Sequence, residues 1–231
     1  MKNILITGAN RGLGLEFVRQ LSELDSHIFA ACRLPEQADE LQKLAVQRKN
    51  IVLCQLDLAK DETILALAKK LSKQPLDWLV NNAGISGAQG VTVGNIERDN
   101  FLEVLAINCF GALKVADALL PQLGKGKEKL IINISSRMGS ISDNQRGRSY
   151  AYRTSKAALN CAMRAFALDV ANEGIHVMLL HPGWVKTRLG GSDAPIDAQT
   201  SVASMLKVIA KHKHHSHAEV LLSYDGSTID W

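Results

Sequence analysis

Seven short apolar runs rich in β-branched residues recur along the chain, at 3–6, 27–31, 51–55, 78–80, 130–134, 176–180 and 220–222. Each is of strand length. Longer stretches separate them, and those at 13–24, 61–73 and 155–171 are of helical length and pattern. The alternation predicts right-handed βαβ units, and so an α/β chain with a parallel sheet, helices on both faces and a ligand crevice outside the carboxyl ends of the strands. No internal repeat or low-complexity linker interrupts the pattern, so a single domain over 1–231 is expected. Segment 101–123 is apolar nearly all round, its charges Glu103, Lys114 and Asp117 confined to a narrow arc of the helical wheel. A helix of this kind buries more than one face. Segment 155–171 is similarly poor in charge, so the two predict a helix-pair interface in a homodimer or homotetramer. Extra packing within the monomer is the alternative.

Composition narrows the reading. With 231 residues and 46% hydrophobic content, the chain can build one large core. The formal charge of +4 is spread without a basic block, so nucleic acid is not an expected partner. Cys32, Cys54, Cys109 and Cys161 stand far apart in apolar stretches, as free thiols of a reducing, cytoplasmic setting do. Ile4, Leu5 and Ile6 are too few for a signal-peptide core, and no run approaches the ~20 apolar residues of a span, so no membrane partner is expected.

The chemistry begins where the first run ends, at Thr7-Gly8-Ala9-Asn10-Arg11-Gly12-Leu13-Gly14. Glycines here let the backbone turn tightly and approach a pyrophosphate, whose charge is met by N–H groups and the positive end of the following helix. The spacing is G-x-x-x-G-x-G. Asn81-Asn82-Ala83-Gly84, Asn108, Ile134-Ser135-Ser136, Tyr152-x-x-x-Lys156 and His181-Pro182-Gly183 with Thr187 follow in order. On these motifs the chain resembles the short-chain dehydrogenase/reductase family over essentially its whole length. The Tyr150–Lys156 run and the ending at 223–231 resemble, within it, the C-factor and sniffer-type carbonyl reductase group. The resemblance implies a doubly wound Rossmann-type domain with a seven-stranded, mainly parallel sheet of order 3-2-1-4-5-6-7.

It also implies roles. Tyr152 is the catalytic acid/base, Ser136 bonds the substrate oxygen, Lys156 holds the nicotinamide ribose and Asn108 completes the tetrad. Tyr152 and Lys156 are four apart on a helix and share a face, where an ammonium is expected to lower the phenol pKa from ~10. Ser136 lies sixteen residues before Tyr152 where many family members have thirteen, and Gly139 stands at the usual place. This is read as a loop at 141–149 longer by three residues. Ser135 is the alternative, because adjacent residues at a strand end point to opposite faces.

Cofactor choice follows from charge. No acid stands at the end of the second strand to bind a ribose diol, and Arg33 there, with Arg11, suits a 2′-phosphate. NADP(H) is therefore expected over NAD(H), held by Gly8, Asn10, Arg11, Gly12, Leu13, Gly14, Arg33, Asp57, Leu58, Asn82, Ala83, Gly84, Tyr152, Lys156, Pro182, Gly183, Val185 and Thr187. Asp57 is either an adenine contact or a helix N-cap, and Trp184 either a pocket wall or packing. The 211–217 His/Lys stretch reads as a solvated loop, with no metal site expected. Arg137, Arg146, Arg148 and Arg153 are either solvated surface or a lure for an anionic substrate. A short lid at 188–200, made mobile by Gly190-Gly191, leaves a permissive site. The implied reaction is reduction of a small-molecule aldehyde, ketone or quinone. The alternative is an NADP(H)-binding signalling protein of C-factor type in which turnover is incidental.

Overall fold

The seven runs become seven parallel strands: β1 (Lys2–Thr7), β2 (Ser26–Cys32), β3 (Ile51–Gln55), β4 (Trp78–Asn81), β5 (Leu130–Ile134), β6 (His176–His181) and β7 (His217–Ser223). The computed structural model describes residues 1–231, and its sheet has the order β3-β2-β1-β4-β5-β6-β7-β8. The expected order holds for seven strands, but an eighth, β8 (Thr228–Ile229), closes the edge by pairing antiparallel with β7. Two residues after a turn carry no periodicity, which is why the pattern does not show it.

Alternate residues of each strand face opposite ways. Leu5, Leu79, Ile131 and Val177 enter one core layer of 28 buried residues, and Ile4, Ile6, Val80, Ile132 and Leu180 the other, of 26. The near-equal layers explain the unbroken apolar runs, since both faces of a covered parallel sheet need apolar residues. Helices α1 (Gly12–Leu21), α2 (Asp39–Gln47), α3 (Asp61–Lys70), α4 (Arg98–Leu105), α5 (Ala112–Ala118), α6 (Leu120–Leu123), α7 (Tyr150–Asp169) and α8 (Ala198–His212) complete the chain.

Segment 101–123 is not one helix. A π-turn over Ala106–Gly111 separates α4 from α5, and Pro121 opens the separate turn α6. The distortion lies where the chain presses on the β3–α3 loop: a Cβ at Gly111 would come within 2.7 Å of Leu58 Cβ and 2.9 Å of its carbonyl oxygen. π-turns inside helices are frequent at functional sites, and this one carries Asn108.

The 188–200 segment, expected as a lid, includes the start of a helix. Asp197 caps α8 by accepting from Thr200 N (2.7 Å), so 198–200 belong to the helix. Gly190 is a packing position as well: its N–H donates to Thr187 Oγ1 (3.1 Å), its carbonyl accepts from Trp184 Nε1 (2.7 Å), and a Cβ there would meet Val185 O. Trp184 therefore braces the loop.

Candidate active site

The motif-bearing segments, the His/Lys stretch apart, gather at the carboxyl edge of the sheet, where parallel strands end together. Thr7 closes β1, and its hydroxyl accepts from both Asn82 N and Ala83 N (3.0 Å each), while Asn82 Nδ2 donates to Thr7 O (2.9 Å). The turn after β1 is thereby tied to the turn after β4. Gly8 and Gly12 take left-handed φ angles of +65° and +53°, and a Cβ on Gly14 would collide with Gly8 O. The turn thus needs glycine at these places.

This turn suits a dinucleotide. The first turn of α1 holds no acidic side chain, and its N-cap, Arg11, gives no side-chain cap. Its N–H groups and the helix dipole are left to an anion. Arg11 and Arg33 are exposed and no acid ends β2. Asn10 and Leu13 sit in the same turn, and Gly12 packs beside Thr187, whose methyl would lie 3.5 Å from a Cβ there. Pro182, Gly183 and the buried Val185 line the approach to Thr187 after β6; Gly183 has φ +85°. Asp57 is not a helix cap, because α3 is preceded by Lys60 and the Asp57 carboxylate instead accepts from Ala59 N (3.1 Å). Leu58 is buried against the π-turn.

The catalytic candidates converge. A Cβ on Gly84 would stand 3.1 Å from Asn108 Oδ1 and 3.7 Å from Lys156 Nζ, so three separate motifs meet at one point. Asn108 is locked: Oδ1 accepts from Ile85 N (2.8 Å), and Nδ2 donates to Ile85 O (2.8 Å) and Ser155 Oγ (3.0 Å). Lys156 Nζ donates to Ile134 O (2.8 Å) and lies 5.8 Å from the centre of the Tyr152 ring. Burial pushes the Lys156 ammonium down to about 8, against the opposing pull of Cys109.

Burial also raises the Tyr152 phenol above its ordinary value, and the Ser136 hydroxyl, hydrogen-bonding to it, offsets part of the rise. This corrects the expectation from i,i+4 spacing. The ammonium shares the face of Tyr152 but is turned to Ile134 O, and desolvation dominates.

The two serines differ in surroundings. Gly139 ends a 3-10 turn (Arg137–Gly139) pressed onto α7, where a Cβ would lie 2.9 Å from Lys156 Cβ. No serine fits there. Ser136, at the end of β5, faces Tyr152 and accepts from Met138 N (3.1 Å). Ser135 points to the other face and donates to Asn160 Oδ1 (2.6 Å) in the buried interior.

A cavity of about 310 Å³ opens beside Tyr152, walled by Met138, Leu189, Val91 and Thr92, with Arg148 and Ser149. Residues 2–195 match the family model described as short chain dehydrogenase. The chain belongs to the short-chain dehydrogenase family. It is 40% identical over 166 residues to the C-signal of Myxococcus xanthus, covering 72% of this chain and 99% of that protein. Among solved structures it is similar to the carbonyl reductase Sniffer of D. melanogaster, with TM-score 0.92, 37% identity and full coverage of both chains. The NADPH-bound carbonyl reductase from chicken fatty liver is equally near, at TM-score 0.92 and 37% identity over 100% of this chain and 99% of that one. This short-chain dehydrogenase is accordingly an oxidoreductase.

Several site residues escape sequence reasoning. Ser155 holds Asn108, Asn160 holds Ser135, and His181 Nδ1 accepts from Arg137 N (3.2 Å) at the start of the turn after Ser136. Burial, assisted by Arg137, pushes His181 down to about 4 and keeps it neutral. A lone polar residue in an apolar stretch is the one available signal, and it does not name its partner. The His/Lys stretch lies at the opposite end of the sheet: His212 closes α8 and its Nδ1 stands 3.3 Å from Nε2 of His217, the first residue of β7. Cys32 and Cys54 are buried as expected, but Cys161 is exposed on α7.

Proposed function

We propose that this short-chain dehydrogenase is an NADP(H)-dependent carbonyl reductase. The observation that carries the reading is the grouping of Tyr152 with Ser136 and Lys156, Tyr152 lining the cavity, at the same sheet edge as a glycine turn suited to a dinucleotide. The bound cofactor would supply a hydride, and the rest falls to this chain. Ser136 orients the substrate carbonyl by a hydrogen bond to its oxygen, and the Tyr152 hydroxyl donates the proton that the oxygen gains. A raised pKa suits Tyr152 to that step, because it stays protonated at neutral pH. Lys156, held by Ile134 O, places a positive charge beside the phenolate that remains, and Asn108 keeps the π-turn and the Gly84–Ile85 backbone in place around it. Arg11 and Arg33 favour a 2′-phosphate, in keeping with the NADPH of the chicken reductase.

The likeness to the C-signal supports a second reading, a signalling protein whose turnover is incidental. Such a protein has no use for an aligned Tyr152 and Ser136. Tyr152→Phe is expected to lower kcat by about 10²–10⁴-fold while NADPH, titrated by its fluorescence, binds as before. Turnover at the wild-type rate removes the reductase mechanism.

We also read the exposed Leu102, Phe110 and Leu168 on α4, the π-turn and α7 as the face through which the chain forms a homodimer or homotetramer. No helix is long and apolar enough to cross a membrane.

A further inference from the structure

The cavity beside Tyr152 is asymmetric in charge. Its walls are apolar at Met138, Leu189 and Val91 and polar at Thr92 and Ser149, and its one charged lining group is the guanidinium of Arg148, with no carboxylate among the lining residues. The neighbouring arginines are engaged or elsewhere. Arg137 pairs with Asp143 (3.6 Å) and Arg153 Nε donates to Gly147 O (3.1 Å), whereas Arg148 has neither an ion pair nor a hydrogen bond. The backbone delivers it on purpose-built geometry. Gly147, Arg148 and Ser149 take consecutive φ angles of +61°, +58° and +49°, a left-handed corner that only the glycine adopts without strain. Strain of this kind clusters at ligand clamps. The corner leads directly into α7, whose N-cap residue Ser149 gives no side-chain cap, so the positive end of a 20-residue helix faces the same opening.

We infer that the cavity selects carbonyl compounds that also carry a carboxylate, with Arg148 binding the carboxylate while the carbonyl meets Tyr152 and the carbon skeleton lies on Met138 and Leu189. This rests on the reductase reading for the carbonyl end. A guanidinium offers a planar fork that matches a carboxylate with two parallel hydrogen bonds, and with no carboxylate in the cavity lining and no ion pair on Arg148, its charge is left to the substrate.

The test compares 4-carboxybenzaldehyde with benzaldehyde, of the same aryl skeleton, in NADPH-consumption kinetics. Wild-type kcat/KM is expected to be roughly 10–100-fold higher for the carboxylate, with the ratio falling severalfold between 20 and 300 mM salt. Arg148→Gln should bring the ratio close to one, Arg148→Lys should retain part of it, and Arg146→Gln, an arginine outside the cavity lining, should leave it unchanged. Equal use of both aldehydes by the wild type, or a preference that survives Arg148→Gln, overturns the inference and leaves the reductase reading intact. If neither aldehyde is reduced, the reductase reading fails, and calorimetric binding of benzoate against benzyl alcohol to the NADPH complex decides this inference. Tighter benzoate binding that Arg148→Gln abolishes upholds it, and equal binding overturns it.

Discussion

Ser135 and Ser136 are adjacent, chemically identical and buried, yet the pleat of β5 sends one to Asn160 and the other to Tyr152. Their substitutions should therefore separate stability from rate. Ser135→Ala leaves a buried asparagine without its partner, and since Asn160 Nδ2 already has none, the whole amide is stranded. The expected cost is about 1–3 kcal/mol in urea unfolding, with kcat changed little. Ser136→Ala should lower kcat about 100-fold, as removal of a donor to a reacting oxygen does, with a smaller loss of stability from the Met138 N–H bond. The reverse pattern, activity lost at 135 and stability at 136, would show that the pleat has been misassigned. The resemblance favours Ser136 and leaves Ser135 as the alternative. The packing of Gly139 against Lys156 explains why a glycine stands at the usual serine spacing, and that contact joins residues from different elements, which spacing alone does not encode.

Among elements, what could be read from the pattern is what periodicity carries: seven strands, six of them within one residue and β7 three residues short at its start, and the body of the helix at 155–171, which begins at Tyr150 in the structure. What could not be read depends on contacts across the fold. The π-turn follows from Gly111 pressing on Leu58, the brace of the 184–190 loop from Gly190 pressing on Val185, and β8 from pairing with β7. The glycine turn was legible because its chemistry is local, a helix start with free N–H groups between Arg11 and the end of β2. That arrangement carries a prediction about the cofactor. Arg11 precedes α1 and Arg33 follows β2, the strand paired beside β1, and on the proposal that both meet the 2′-phosphate the double variant Arg11→Ala/Arg33→Ala should reduce kcat/KM for NADPH by roughly 100-fold or more, from two lost charge-assisted contacts, and alter that for NADH much less. Steady-state kinetics with both cofactors reads it directly, and equal losses with the two would detach the arginines from the 2′-phosphate.

Across the whole molecule the two ends of the sheet are built for different work. Its carboxyl edge keeps uncapped helix starts and left-handed turns for ligands, and its opposite edge is clamped. Glu128 there accepts from Lys213 Nζ (2.8 Å) and Trp78 Nε1 (2.7 Å) and pairs with Lys2 (2.9 Å), so one carboxylate fastens β1, β4 and the end of α8. Asp77 reinforces it by accepting from Asn3 N (2.8 Å) and Lys127 N (2.7 Å). Burial alone would raise the Glu128 pKa, but the bonds from Lys213, Lys2 and Trp78 outweigh it and hold the carboxyl at about 2, against 4.5 when unpaired. Because the folded value is the lower one, the unfolded chain takes up the proton first as the solution is acidified. The clamp's contribution is complete above pH 4.5 and is lost as pH falls toward 2. After discounting for solvent around a partly exposed group it should amount to about 1–2 kcal/mol. Glu128→Gln is therefore expected to lose that much stability at pH 7 and to show a flatter fall in unfolding free energy between pH 4.5 and 2 than the wild type. Parallel slopes for the two proteins in urea titrations across this range would mean that the acid sensitivity of the fold lies elsewhere than in this clamp.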